Sequence, residues 1–286
     1  MKRILFIIFI CFLGNFSYSQ IKKSSDTINF YSEYKSIMGK EGSSWVFETD
    51  PVSIKTIQAL KLWDRSQLKF FLENRDKFKN IEAISFNTKI KNFDFLNEFP
   101  KLEHVSININ KLNTTSLNSL VKNLNQNENI RLLDLGFKNK ICLFNREFPK
   151  EFKNLKYIEN LRIYNSRIKR FEIDFKIKNL IINYNKSTIK SIKANQVEYV
   201  ILNFNELHQI PEGLNRSKNL KGLSISDYTD FKIDCPITGF ENLIYFDAVG
   251  AKGLIVGRDC FENKDIKSIW GNMYEEYYLN EYKNGE

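Results

Sequence analysis

One pattern constrains this chain more than any other: apolar–x–x–apolar–x–apolar, returning every 19 to 28 residues along most of its length. It stands at Ile57/Leu60/Leu62, Ile81/Ile84/Phe86, Leu102/Val105/Ile107, Ile130/Leu133/Leu135 and Ile158/Leu161/Ile163. It continues at Ile177/Leu180/Ile182, Val197/Val200/Leu202, Leu220/Leu223/Ile225 and Leu243/Phe246/Ala248. A weaker tenth copy sits at Ile266/Ile269, where Gly271 takes the third place. Two apolar residues around one polar residue, as in Leu133-Asp134-Leu135, specify a short strand with one face inward; the apolar residue three earlier closes the same layer. A unit of this size cannot bury its apolar face alone. Neighbouring units must stack, which joins their strands into one parallel sheet over a continuous core.

The return path depends on unit length. Leu117, Leu120, Val121 and Leu124 fall at helical spacing in a 28-residue unit, and Leu68, Phe71 and Leu72 do so in the first. The 19- and 20-residue units around Ile177 and Val197 have no such room and are expected to return through extended or single-turn segments.

Two copies run on as Leu102-x-x-Val105-x-Ile107-x-x-Asn110-x-Leu112 and Val197-x-x-Val200-x-Leu202-x-x-Asn205-x-Leu207, and a third matches through Asn185. Upstream of two copies lie Phe148-Pro149-Lys150-Glu151-Phe152-Lys153-Asn154-Leu155 and Ile210-Pro211-Glu212-Gly213-Leu214. On these motifs residues 57–273 resemble the leucine-rich repeat family. The ninth-position Asn is replaced by Arg65, Lys89, Lys138, Ser166, Tyr228 and Ala251. The resemblance implies an α/β solenoid: a curved right-handed horseshoe with a parallel β-sheet on its concave face and short helices, 3-10 turns or extended segments on its convex face. Where an Asn is present, its amide is expected to satisfy backbone groups that the bend would otherwise bury unpaired.

The flanks read differently. Residues 1–19 have the form of a cleaved signal peptide: Lys2 and Arg3, the apolar run Ile4–Leu13, then Ser17-Tyr18-Ser19, with the mature chain starting at Gln20. The run is too short to span a bilayer, and no later stretch is apolar enough, so the expected product is exported, periplasmic or extracellular. Abundant Asn, Lys, Ile, Phe and Tyr, with AT-rich codons, suggest a bacterial source. Residues 20–56 lack the repeat and, with Tyr31, Tyr34, Trp45 and Phe47, are expected to cap the first coil. Residues 274–286 are expected to form the other cap or a tail. Cleavage would leave Cys142, Cys235 and Cys260, an odd number in an exported chain. Cys235 and Cys260 are about one repeat apart and could bridge adjacent coils; the alternative is three buried thiols acting as small hydrophobes.

Catalytic and cofactor signatures are missing from the sequence. There is no phosphate-binding loop, no Gly-x-Ser-x-Gly elbow, no His-Glu-x-x-His and no Cys/His spacing suited to zinc, so neither a cofactor nor a metal is expected. His104 is expected at a solvent-facing position, either simply solvated or joined to Asp134 on the strand after next. The informative surface is the face opposite the core. There Arg162, Tyr164, Ile181, Asn183, Tyr184, Tyr199, Ile201, Asn203 and Phe204 project from the middle repeats. The expected columns are Tyr164–Asn183–Asn203, Tyr184–Phe204 and Ile181–Ile201, and aromatic residues with Arg are what interface centres favour. The alternatives are a one-residue slip of the short coils, which would exchange inside for outside, and a cap folding over these residues. The resemblance implies a non-enzymatic module binding a protein or peptide on that face. The formal charge of +9, or +7 once Lys2 and Arg3 are removed, supports an alternative in which a basic surface binds an anionic polysaccharide or nucleic acid.

Overall fold

In the computed structural model the described residues are 59–137, 147–185, 187–226, 236–249, 260–262, 266 and 268–271. The signal-peptide reading of 1–19, the cap at 20–56 and the segment 274–286 lie outside them. Ten strands form one open sheet with every neighbouring pair parallel: β1 (Ala59–Leu62), β2 (Ala83–Phe86), β3 (His104–Asn108), β4 (Leu132–Gly136), β5 (Tyr157–Tyr164), β7 (Lys176–Asn183), β9 (Val197–Asn203), β10 (Gly222–Ser226), β11 (Tyr245–Val249) and β12 (Ser268–Gly271). They lie in chain order. Parallel neighbours cannot be joined by a tight turn, so each pair needs a longer crossover connection.

The expected register holds along the whole sheet. Leu60, Ile84, Val105, Leu133, Leu161, Leu180, Val200, Leu223, Phe246 and Ile269 stand opposite one another in sequence. The first, second and third residues of the copies from Ile81 to Leu243 are all buried. A one-residue slip would have put this set in solvent.

The return segments follow unit length as the spacing predicts. Helix α1 (Arg65–Glu73) buries Leu68 and Phe71, and α2 (Thr114–Gln126) buries Leu117, Leu120, Val121 and Leu124. Both begin at a side-chain cap: Asp64 accepts from the Gln67 N–H, and Asn113 from the Ser116 N–H, each at 2.9 Å. Such a cap contributes about 1 kcal/mol. The short units return extended, as β6 (Arg170–Ile173) and β8 (Ser191–Ala194), which pair in a second, two-stranded parallel sheet. The two Pro-containing segments become 3-10 turns at Lys150–Asn154 and Leu214–Arg216.

The many asparagines tie coil to coil. Asn185 and Asn205 are buried at the bend after β7 and β9; Asn205 accepts from the Asn185 N–H (3.0 Å) and donates to the Ile182 carbonyl (2.8 Å). Ser166, which replaces the Asn one unit earlier, donates to Asn185 Oδ1. On the return side Asn127, Asn129 and Asn242 each donate to a backbone carbonyl of the preceding coil, at 2.9, 3.0 and 2.7 Å. The Asn127 bond satisfies a buried backbone acceptor, while those of Asn129 and Asn242 lie at the surface.

Candidate functional site

The sheet's second face, opposite the core, is built by the alternate residues of each strand. Register fixes its columns. Tyr164 stands opposite Asn183 and Asn183 opposite Asn203; Ile181 stands opposite Ile201. Tyr184 and Phe204 lie just past the strand ends, and their rings stack at 4.9 Å between centroids with planes 12° apart.

The stacked pair sits on unusual backbone. Asn165, Tyr184 and Phe204, at the same place in three successive coils, have φ of 56°, 54° and 56°. An aromatic residue rarely adopts this left-handed region, which costs on the order of 1–2 kcal/mol. What holds it is the next coil: the N–H groups of Asn165, Tyr184 and Phe204 donate to the carbonyls of Asn183, Asn203 and Ser226, at 3.1, 2.9 and 2.7 Å. The buried amides of Asn185 and Asn205 then fix the following residue. The bend therefore turns each ring out of the strand, and Tyr184 ends 53% exposed.

The remaining predicted residues are less open. Ile181 and Ile201 are 0% and 8% exposed, and Asn183 and Asn203 are also buried. Arg162, Tyr164, Tyr199 and Phe204 are half-buried. Two glycines account for part of this covering. The Tyr164 ring lies over Gly136, where a Cβ would come within 2.5 Å of its hydroxyl, and the Tyr199 ring lies over Gly222, where a Cβ would come within 2.6 Å. Large side chains lean across the strands beside them and close the face.

His104 overturns an expectation. It is fully buried, not at the surface, and its partner Asp134 is on the neighbouring strand β4, not two strands along. Nε2 of His104 lies 3.1 Å from Asp134 Oδ2, and Nη2 of Arg162 donates to the same oxygen at 2.8 Å. The Arg162 guanidinium rests 5.3 Å from the Tyr164 ring centroid. Burial pushes the Tyr164 phenol above its ordinary range, with the Asp134 charge adding to the shift against a hydrogen bond from Ser106. Large neighbours from β5 thus roof over β3 and β4, which strand alternation alone does not reveal. The group has a His–carboxylate pair, but both side chains are about 1% exposed, so the arrangement does structural work.

Sequence reasoning missed two features. The first is a row of charges two residues before the central apolar residue of six successive copies: Arg131 pairs with Glu103 (2.9 Å) and Glu159 (3.8 Å), Lys178 with Glu159 (3.8 Å) and Lys221 with Glu198 (3.0 Å). Alternating sign at one repeat position was the available signal. The second is Asp247 on β11, which accepts from Ser224 Oγ at 3.1 Å while its Oδ1 is buried with no hydrogen-bond partner. Burial pushes its carboxyl up to about 7.

That shift fixes a pH dependence. The unfolded carboxyl titrates near 3.8 and the folded one near 7, so between these values the folded state holds the extra proton. This contribution is fully present below about pH 4 and is lost as pH rises through 7. Asp247→Asn should match the natural protein near pH 4 and exceed it at pH 8 by about 2–4 kcal/mol. Urea unfolding of both proteins at pH 4, 6 and 8 measures the difference; equal stability at pH 8 would refute the assignment.

Among the described residues no helix is long and apolar enough to cross a membrane, and no group of His, Cys, Asp and Glu could hold a metal ion. Cys260 is disulfide-bonded; its partner, like Cys142 and Cys235, lies outside the described residues. No family model and no curated protein matches the chain.

Proposed function

We propose that this chain is an exported, non-enzymatic recognition module of the leucine-rich repeat kind. In this reading the repeats of 57–273 wind as a right-handed solenoid, the ten-stranded sheet lines its concave side, and that side binds a protein or peptide. The observation that carries the reading is the Tyr184–Phe204 stack, held on left-handed backbone with Tyr184 more than half exposed. Strained backbone persists only where the surrounding structure enforces it, and such sites cluster where ligands bind. An aromatic pair presented this way is the usual anchor of an interface.

The electrostatics favour this reading over polyanion binding. Arg131, Arg162, Lys178 and Lys221, along β4 to β10, are each paired with a carboxylate. A disulfide at Cys260 suits an oxidising compartment. A separation of about one repeat from Cys260 supports Cys235 as the other half.

Tyr184→Ala and Phe204→Ala should each weaken binding of a partner recovered from the native source by about 1–3 kcal/mol. Tyr184→Gly separates binding from folding. It loses about 0.5–1.5 kcal/mol of ring contact and regains about 1 kcal/mol of backbone strain, so its stability should stay near the natural protein's while binding falls. Titration calorimetry beside thermal melts reads both. Unchanged partner affinity in all three variants, or retention only of an acidic polymer released by salt, would overturn the reading.

A further inference from the structure

We infer that the ligand segment seated on β7, β9 and β10 is an uncharged stretch of extended peptide, so that this surface selects against charged side chains. The inference rests on the binding reading above and adds the chemistry of the occupant.

Charge supplies the first argument. Residues Asp, Glu, Lys and Arg make up 27% of the chain, yet the last part of each of these strands, Leu180–Asn183, Val200–Asn203 and Leu223–Ser226, carries none; the charged residues Lys176, Lys178 and Glu198 lie at the starts of β7 and β9. The columns of the open face there carry amides, hydroxyls, isoleucines and aromatic rings. Of the charges at its border, Arg162 is matched by Asp134, Lys178 by Glu159 and Lys221 by Glu198, while the Asp247 carboxyl beside Ser224 is kept largely protonated below about pH 7 by its burial. A charged ligand side chain placed here would lose its hydration and gain no counter-charge, a strongly unfavourable exchange.

Hydrogen bonding supplies the second. Asn183 is buried, and its Oδ1 has no hydrogen-bond partner. A native structure seldom leaves such an acceptor unmatched without a reason. Asn203 follows at the next strand of the same column. A primary amide offers one acceptor and a donor group, the complement of a peptide unit. Chain laid across the strands would meet these amides beneath its backbone and the Tyr184–Phe204 stack beside its side chains.

A neutral glycan is the competing occupant, because its hydroxyls would also reach an amide. The ring geometry weighs against it. Tyr184 and Phe204 each give one face to the other, and Phe204 is half-buried, so they do not form a broad flat platform.

The test is selection of a random displayed peptide library on the full exported chain. Enriched peptides should carry aromatic residues and be depleted of Asp, Glu, Lys and Arg, and their affinity should change less than about twofold between about 50 and 500 mM salt. Asn183→Asp, and Ser226→Asp at a half-buried position of the same column, should each weaken those peptides about tenfold or more and shift a second selection toward Lys and Arg. Thermal melts confirm that the variants compared are folded, and Ser226→Asp decides the matter if Asn183→Asp does not fold. Enrichment of charged peptides, steep salt dependence, or Ser226→Asp binding at natural strength would overturn the inference while leaving peptide binding intact. Recovery of no peptide, or of a neutral glycan instead, would overturn the peptide-binding reading itself.

Discussion

Replacing Leu202 by alanine should lower stability by about 2–5 kcal/mol, while Phe204→Ala, two residues on, should cost about 1 kcal/mol or less. Leu202 is fully buried at the middle of the sheet, opposite Ile182 on one side and Ile225 on the other. Truncation leaves a cavity walled by two coils that are fixed by their own hydrogen bonds and cannot collapse into it. Phe204 is half-buried and stacks on Tyr184 from the opposite face. For a chain of this size each kcal/mol corresponds to about 2–4 °C in midpoint, so paired melts resolve the two variants easily. If Phe204→Ala unfolds the protein as badly as Leu202→Ala, then Phe204 is a core residue and the proposed site goes with it.

The repeat was legible because one spacing does one job at every coil. Leu133 and Leu135 flank Asp134, and Val200 and Leu202 flank Ile201, so the inward set could be read off without knowing the neighbours. Even Gly271, the poorest match, falls opposite Ala248 in the structure. The columns Tyr164–Asn183–Asn203 and Ile181–Ile201 followed from the same register. What alternation does not encode is how far a side chain leans. His104 was expected in solvent because its position points away from the core, but Tyr164, one strand beyond Asp134, reaches back over Gly136 and helps close the surface. Ile181 and Ile201 were expected to be exposed and are buried for a related reason: a parallel sheet of large residues fills its own second face. Nor could the left-handed backbone of Tyr184 and Phe204 be foreseen, since nothing in an aromatic residue favours it. It is imposed by the N–H bonds to the next coil and by the Asn that follows.

The largest polar effect should come from Asp134. Its Oδ2 meets both the His104 ring, at 3.1 Å, and the Arg162 guanidinium, at 2.8 Å, and its side chain is 1% exposed. Removing one partner of a buried ion pair typically costs about 3–5 kcal/mol, because the remaining charge keeps its desolvation and loses its compensation. Arg162 softens this through its 16% exposed side chain, which lets water reach part of the guanidinium. His104, fully buried, would lose this partner of its ring. Asp134→Ala should therefore cost about 3–5 kcal/mol, and Asp134→Asn clearly less, since an amide oxygen still accepts from Arg162 with the shape preserved. The pair of substitutions separates charge from packing: both leave the core residues Leu133 and Leu135 untouched. Urea unfolding of the two variants beside Arg162→Met measures the hierarchy. Near-natural stability of Asp134→Ala would mean that the His–Asp–Arg group contributes nothing to holding β3, β4 and β5 together. Its burial would then need an explanation in ligand binding instead.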